Sequence, residues 1–192
     1  MASRTLLAEV LDELPDQLDE GLTRLVHAEL VKESKLGLRL TPAGKDAADS
    51  VFWEQQTTLP PGLIDEVYAS FEAVNTRCKT LVSQWQVREV DGETVPNDHS
   101  DAEYDQAIID GIHAIYRAVK PALVGLAEAL PRISAYPRRF ERALEQIGAG
   151  DLRYLAAPML ESFHTVWFEL HEELIRLSGR TRADEAAAGR AD

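Results

Sequence analysis

Apolar residues recur along most of this chain at the three- and four-residue spacing of helices that bury one face. The spacing predicts seven helices, at about residues 5–14, 17–31, 42–57, 63–88, 101–130, 138–147 and 151–179. Residues 31–33 and 38–40 instead read as two short strands joined by a turn at 34–37. The pattern therefore predicts a mainly α fold, in which the later helices form an antiparallel bundle.

The last predicted helix runs from Asp151, through a kink at Pro158, to Gly179 and contains the densest group of aromatic, histidine and acidic side chains. Its core-facing stripe consists of Met159, Phe163, Val166, Trp167, Leu170, Leu174 and Leu177. His164 and His171 lie together on one border of that stripe. A histidine in this position either satisfies a hydrogen bond at the edge of the core or lines a pocket in the bundle.

The long helix at 63–88 carries an amide, Asn75, inside its apolar stripe, so this side chain needs a buried hydrogen-bond partner. If the first and last bundle helices are antiparallel neighbours, Asn75 should lie within roughly 20 Å of His164 and His171.

Residues 89–100 are expected to form a polar loop between the two longest helices. Asp91 and Gly92 have the composition of its turn. Asp98 or Ser100 is the expected N-cap of the helix that follows.

The N-terminal segment contains L-V-H-A-E-L-V-K-E at 25–33, followed by L-R-L-T-P-A-G-K at 38–45. These stretches resemble the recognition helix and wing of MarR-like regulators, and the resemblance covers residues 1–57. The chain departs from that family because two helices, rather than three, precede the wing. The expected fold class is therefore mainly α, with a truncated winged helix followed by an antiparallel helical bundle.

The charge of this segment argues against the usual role of a winged helix. Residues 1–57 contain six Lys and Arg against eleven Asp and Glu, a net charge of −5, and the whole chain has a net charge of −13. A surface that enters a DNA groove should attract phosphates rather than repel them. We therefore expect no useful binding to duplex DNA, and a module kept for packing or protein contacts.

The run T-T-L-P-P-G at 57–62 is the strongest domain boundary, because two prolines and a glycine interrupt the helical pattern. It separates a module at 1–57 from a helical bundle domain at 63–179, and residues 180–192 are expected to be a disordered tail. No apolar run approaches the roughly 20 residues of a membrane span. The first residues also lack the apolar core of a signal peptide, so we expect a cytoplasmic protein without a membrane partner.

Metal chemistry finds little support in the residue spacing. Cys78 is the single cysteine, which excludes an internal disulfide and a cysteine-based metal site. His113 and His164 each follow an acidic residue by three positions, as in di-iron bundles. His113, however, falls opposite its helix's apolar stripe, while His164 and His171 are about 10.5 Å apart along theirs. We therefore predict neither a metal nor another cofactor.

A second resemblance involves residues 71–86, 97–101 and 165–175, which include F-E-A-V-N-T-R-C-K, N-D-H-S-D and T-V-W-F-E-L-H-E-E-L-I. They resemble a helical region, covering 63–182 here, that accompanies actinobacterial phosphoenolpyruvate-utilising, pyruvate phosphate dikinase-like proteins. The chain has no match to the phosphohistidine or nucleotide-grasp domains of those enzymes, so the resemblance does not imply phosphotransfer. It implies one ligand-binding site formed by Asn75, Lys79, Trp85, Gln86, Asn97, Asp98, His99, His164, Trp167 and His171.

These patterns favour a non-enzymatic regulatory or accessory protein whose helical domain binds a small molecule or a protein partner. A second copy of the chain is a further candidate partner. The alternative is an enzyme that uses a histidine-lined pocket for acid–base chemistry on a small molecule. Its candidate catalytic residues are His99, His164 and His171.

Overall fold

The computed structural model describes residues 3–11, 15–90 and 92–180, with the side chains of residues 15 and 16 excepted. The chain divides into two compact units, Met1–Thr58 and Leu59–Asp192. Within the described residues the fold is mainly α, as predicted, with seven α-helices and two separate two-stranded antiparallel sheets. None of these helices combines the length and the hydropathy that crossing a membrane would require.

The N-terminal unit, Met1–Thr58, contains three helices and one hairpin. In order, these are α1 (Arg4–Leu11), α2 (Pro15–His27), β1 (Val31–Ser34), β2 (Gly37–Leu40) and α3 (Pro42–Thr58). Helix α2 ends four residues earlier than predicted, because the chain turns into β1 through Glu29 at a positive φ of 57°. The buried core of this unit is small and consists of Leu18, Leu22, Val31 and Leu38.

The T-P-A-G segment at 41–44 joins β2 to α3 and is held by two hydrogen bonds of Thr41 and by a close backbone contact at Gly44. The Thr41 hydroxyl donates to the Glu29 carbonyl at 2.7 Å and accepts from the Gly44 amide at 3.0 Å. A Cβ atom at Gly44 would lie 1.9 Å from the Leu30 carbonyl oxygen, which the backbone cannot accommodate. Thr41 therefore caps α3 as predicted, and glycine is required one turn later.

The helical unit, Leu59–Asp192, is built around two long helices. Its elements are α4 (Leu63–Gln86), β3 (Val87–Val90), β4 (Glu93–Pro96), α5 (Ala102–Ala129), α6 (Ala135–Gly148) and α7 (Phe163–Leu177), with 3₁₀ turns at Pro131–Ser134 and Leu152–Leu155. Helix α7 runs antiparallel to α4, since Arg180 pairs with Asp65 while Trp167 bonds to Asn75. Phe71 and Phe140 are fully buried on either side of the α7 aromatic residues.

The segment predicted as a polar loop is a β-hairpin. Val87 pairs with Pro96 and Val90 pairs with Glu93, so α4 ends at Gln86 rather than Arg88. A two-residue Asp-Gly connection is a typical hairpin turn, and Gly92 has the positive φ of 84° that such turns use. Asp91 itself lies outside the described residues.

The predicted cap of α5 was wrong by a few residues. Asp101, rather than Asp98 or Ser100, accepts the Tyr104 amide at 3.0 Å and caps the helix. The Asp98 carboxylate instead accepts hydrogen bonds from the amide and the hydroxyl of Ser100, at 3.1 and 2.7 Å. The Ser100 hydroxyl is the main cause of the lowered pKa of the Asp98 carboxyl.

The last helix is shorter than predicted and starts later. Asp151 caps the 3₁₀ turn at Leu152–Leu155, and α7 begins only at Phe163, with Ser162 as its N-cap. Pro158 therefore lies in the connection and kinks no helix. Met159, predicted for the core stripe, is 91% exposed in the same connection.

Two predicted segments, the first helix and the C-terminal tail, are only partly covered by the described residues. Arg180, predicted to begin a disordered tail, instead packs its guanidinium 4.1 Å from the Tyr68 ring centroid and pairs with Asp65 at 3.2 Å. Residues 181–192 lie outside the described residues, as does Leu14, the predicted end of the first helix.

Candidate functional site

Four side chains form a buried polar contact between α4 and α7, which we call the α4–α7 contact: Glu72, Asn75, Trp167 and His171. Asn75 is 3% exposed and accepts a hydrogen bond from Trp167 Nε1 at 2.9 Å. Its amide nitrogen donates to Glu72 Oε1 at 3.0 Å, and His171 Nε2 lies 3.5 Å from the same oxygen. Asn75 thus has the buried partner that its place in the apolar stripe requires.

His171 is a core residue, whereas the sequence placed it on a border. It is 5% exposed, and its ring stacks on Phe71 with the centroids 5.0 Å apart. The buried surface of α7 is wider than the predicted stripe because both α4 and α6 pack against it. His164 is half-buried and so does lie at an edge of the packed surface.

The space beside this contact is too small for a metabolite. A cavity of about 20 Å³ is lined by Asn75, Cys78, Lys79, His164, Trp167, Phe168 and His171. Such a volume holds about one water molecule, whereas ligand pockets span roughly 300–1,000 Å³. Burial also raises the pKa of the Cys78 thiol, so a reactive thiolate is disfavoured there. The α4–α7 contact has the geometry of a packed core.

A second polar cluster, which we call the His99 cluster, joins the loop after β4 to the ends of two helices. It comprises Trp85, Asn97, His99 and Asp105. Asn97 Nδ2 donates to Asp105 Oδ1 at 2.9 Å and to the Trp85 carbonyl at 3.3 Å. His99 Nδ1 lies 2.9 Å from Asp105 Oδ2, and its ring packs on Trp85 at a centroid distance of 4.3 Å.

The backbone and surroundings of His99 hold its imidazole in one orientation. His99 has a positive φ of 58°, which carries a conformational cost for a residue other than glycine. The His99 amide donates to Asn97 Oδ1 at 3.3 Å, and the buried Asp105 carboxylate engages Nδ1. Engagement of one ring nitrogen by a carboxylate sets the tautomer and leaves the other available for chemistry. The side chain is 38% exposed, so a solute can approach it.

The ten residues predicted to share one site belong to separate places. Asn75 and Trp85 are ten residues apart on α4, about 15 Å along the helix axis. Helix α7 begins at Phe163, and His164 in its first turn lines the same cavity as Lys79 of α4. Because the two helices are antiparallel, the last turns of α4 extend beyond the start of α7, where the hairpin lies. His99 therefore contacts Trp85 and Asp105, whereas His164 and His171 line the small cavity beside Asn75. Gln86 and Asp98 have exposed side chains beside the His99 cluster. The Gln86 carbonyl accepts a hydrogen bond from the Asn97 amide at 3.0 Å.

A large open cavity of the helical unit lies along the C-terminal end of α4, beside the hairpin. This polar groove has a volume of about 850 Å³ and is lined by Lys79, Thr80, Ser83, Gln84, Val87, Arg88, Glu89, Thr94 and Tyr104. The Tyr104 hydroxyl donates to the Gln84 carbonyl at 3.1 Å, and the Arg88 guanidinium lies 5.5 Å from the Tyr104 ring centroid.

Sequence reasoning identified Lys79 and missed the rest of this groove. Four groove residues, Lys79, Thr80, Ser83 and Gln84, follow the i, i+1, i+4, i+5 spacing of one helical face. A polar helical face of this kind is usually exposed to solvent. The one sequence feature that could have indicated a groove is that this face carries a single charged residue, which is few for a surface helix. Val87, Arg88, Glu89 and Thr94 come from a hairpin that the sequence did not predict, and Tyr104 comes from the first turn of α5.

The metal ligands suggested by spacing are not assembled. Within residues 3–11, 15–90 and 92–180, no group of three His, Cys, Asp or Glu side chains could hold a metal ion. Glu161, three positions before His164, is instead buried in an ion pair with Arg139 at 2.6 Å.

Comparisons with protein-family models, with curated proteins and with solved structures found no match to this chain. Its function is therefore inferred from its own geometry and charge.

Proposed function

We propose that this chain is a non-enzymatic regulatory or accessory protein, derived from a winged helix, whose helical unit binds a small ligand in the polar groove. The contrast in volume carries this proposal: the groove has about 850 Å³, whereas the histidine-lined cavity has about 20 Å³. The larger volume lies in the range of small-molecule sites, and the smaller volume does not. Hydroxyl, amide and charged side chains around the groove can orient a polar molecule.

The N-terminal unit, in this proposal, contacts a protein rather than DNA. Its net charge of −5 over residues 1–57 opposes phosphate binding, and the exposed face of α2 presents Asp19 and Glu20. An apolar cavity of about 350 Å³ opens on this unit and is lined mainly by leucines from α1, α2 and β2. Trp53 on α3 is 65% exposed, so a partner protein that covered it would bury a large aromatic side chain. These features support a protein partner, for which a second copy of the chain is one candidate.

The groove is tested by native mass spectrometry of the protein purified from its source, followed by ¹H–¹⁵N spectra with the retained molecule. We expect a retained small molecule that shifts the amides of residues 79–94. Ser83→Trp should block its binding by filling the groove. Ser70→Trp, at an exposed site in the other half of α4, is the matched control and should bind normally. Binding that survives Ser83→Trp, or no retained molecule at all, would overturn the proposal.

A separate gel-shift assay tests the role of the N-terminal unit. We expect no complex with duplex DNA at submicromolar protein. A sequence-specific, salt-sensitive shift would contradict the protein-contact role.

The His99 cluster favours a second candidate, an enzyme that uses His99 as a general acid or base. The supporting observation is the 2.9 Å contact between His99 Nδ1 and the buried Asp105 carboxylate, the arrangement that orients a catalytic imidazole. Chemical conversion of the retained molecule by the purified protein, lost in His99→Gln, would favour this candidate. Recovery of the molecule unchanged after prolonged incubation would favour the binding role.

A further inference from the structure

We infer that the polar groove is an oxyanion site, which takes a hydroxylated small molecule bearing a phosphate or carboxylate group and holds that group with Arg88 and Lys79. This inference rests on the proposed function, because it specifies the chemistry of the same groove. It concerns the ligand class, which the volume of the groove leaves open.

The first argument is a local reversal of charge. The chain as a whole carries 33 Asp and Glu against 20 Lys and Arg. The groove instead has two cations, Lys79 and Arg88, against one carboxylate, Glu89. A small positive region on a strongly acidic protein concentrates anionic solutes at that place and disfavours them elsewhere on the surface. The charge pattern therefore selects for an anion in this groove.

The second argument is the state of the Arg88 guanidinium. Its Nη1 atom is out of contact with solvent and has no hydrogen-bond partner within the part of the chain that the structure describes. The guanidinium lies over the Tyr104 ring. The Asp98 carboxylate, whose pKa is lowered mainly by Ser100 and in part by Arg88, forms its hydrogen bonds with Ser100. A charged donor without an acceptor is costly in a protein, whereas an oxyanion bound by arginine supplies one, often with two parallel hydrogen bonds. A bound oxyanion would satisfy Arg88 where the protein does not.

The third argument is the hydrogen-bonding character of the remaining side chains. Thr80 donates its hydroxyl proton to the Thr76 carbonyl at 3.0 Å, and Tyr104 donates to the Gln84 carbonyl at 3.1 Å. Their oxygens are therefore left as acceptors, and the Glu89 carboxylate is a third acceptor. Acceptors pair with ligand hydroxyl groups and not with an oxyanion. The groove thus offers cations for one end of a ligand and acceptors for a hydroxylated remainder, as a sugar phosphate or a sugar acid would require.

The test is a set of ¹H–¹⁵N titrations of the full chain with four probes: glucose 6-phosphate, gluconate, glucose and inorganic phosphate. We expect the two hydroxylated anions to shift amides between residues 79 and 104 at millimolar concentration. Glucose should bind at least about tenfold more weakly than its phosphate, because it lacks the charged group. Competition by inorganic phosphate against each anion then separates a phosphate site from a carboxylate site.

Arg88→Gln should weaken binding of glucose 6-phosphate by about tenfold or more. Arg153→Gln is the matched control, since Arg153 is exposed and pairs with Asp151 after α6, and it should leave binding unchanged. If Arg88→Gln does not fold, Lys79→Gln is measured in its place with the same expected loss.

Equal binding of glucose and glucose 6-phosphate, no groove shifts with either anion, or full binding in the Arg88 and Lys79 variants would overturn the oxyanion inference. The proposed function fails separately. A retained uncharged molecule that Ser83→Trp blocks and Arg88→Gln does not would overturn the oxyanion site and keep the ligand groove. A retained molecule indifferent to Ser83→Trp would overturn both.

Discussion

Helix α4 passes through two environments along its 24 residues. Over residues 63–78, which we call the closed part of α4, Glu72 and Asn75 are covered by α7 and complete a set of buried hydrogen bonds with Trp167. Over residues 79–86, which we call the open part, the exposed face of α4 borders the hairpin and the open polar groove. The same helix therefore provides a closed core and a solvent-accessible site. What covers each part, rather than which polar residues it carries, decides the difference.

The largest effect is expected from a substitution that leaves a cavity beside the closed part of α4. Trp167→Ala should reduce the free energy of unfolding by about 3–5 kcal/mol, because it leaves a cavity and removes the donor to Asn75. Trp167→Phe retains most of the volume and should cost about 1–3 kcal/mol through the unsatisfied Asn75 oxygen. Urea unfolding followed by circular dichroism measures both. A loss below about 1 kcal/mol in the alanine variant would mean that the closed part of α4 does not border a packed core.

His171→Ala sharpens the distinction between core and ligand site. Its ring is buried against Phe71, so we expect a loss of about 2–4 kcal/mol in the free energy of unfolding. The stabilisation by the retained groove ligand should be unchanged, because His171 does not line the groove. Thermal melts with and without that molecule decide the matter. A variant with an unchanged melting temperature and no ligand response would place the ligand beside the closed part of α4.

Asn97→Ala tests how much the hydrogen bonds of Asn97 to the open part of α4 and to α5 contribute to stability. Asn97 bonds both Asp105 and the Trp85 carbonyl, so its removal should cost about 1–3 kcal/mol. Asp98→Ala is the neighbouring control and should cost less, since Asp98 is exposed and its hydrogen bonds to Ser100 lie within its own turn. Chemical denaturation of the two variants gives the comparison. Equal losses would show that the loop, rather than the Asn97 network, carries the stability.

The smallest expected effect separates the cost of the strained His99 backbone from the loss of its side-chain contacts. His99→Ala and His99→Gly both lose the ring contacts to Trp85 and Asp105, but only glycine relieves the positive φ. The alanine variant should therefore be less stable than the glycine variant by about 1 kcal/mol. Melting curves of the two proteins test this difference. The reverse order would mean that the loop relaxes to an ordinary conformation once the imidazole is gone.

The helices of the fold could be predicted from periodicity, and the hairpin could not. Strands of four residues are too short for their alternation to stand out, and Arg88, Glu89 and Glu93 give them the composition of a loop. The start of α7 was missed because the apolar residues before Phe163 continue the helical spacing through Pro158. Local steric and capping effects, rather than hydropathy, set the start of α7 at Ser162.

A residue of the candidate site was predictable only where the apolar pattern of its own helix determines whether the side chain is buried. Asn75 stood inside an apolar stripe, so its need for a partner was visible in the sequence. His171 was placed on a border because the wheel assumes one neighbour, whereas α4 and α6 both cover α7. Asp105 gave no signal, since acidic residues are common in the first turn of a helix. Its contact with His99 depends on a left-handed residue that no periodicity specifies.

Alkylation of Cys78 under native conditions tests the difference between the closed and open parts of α4 most directly. Cys78 is 1% exposed beside the α4–α7 contact, and burial raises the pKa of its thiol. Ser83→Cys adds a second thiol in the groove, and peptide mass spectrometry follows both after iodoacetamide treatment. We predict rapid modification at position 83, slowed by the retained ligand, while Cys78 reacts only when the protein unfolds. Modification of Cys78 at a comparable rate, or ligand protection of Cys78 without protection at position 83, would contradict the account.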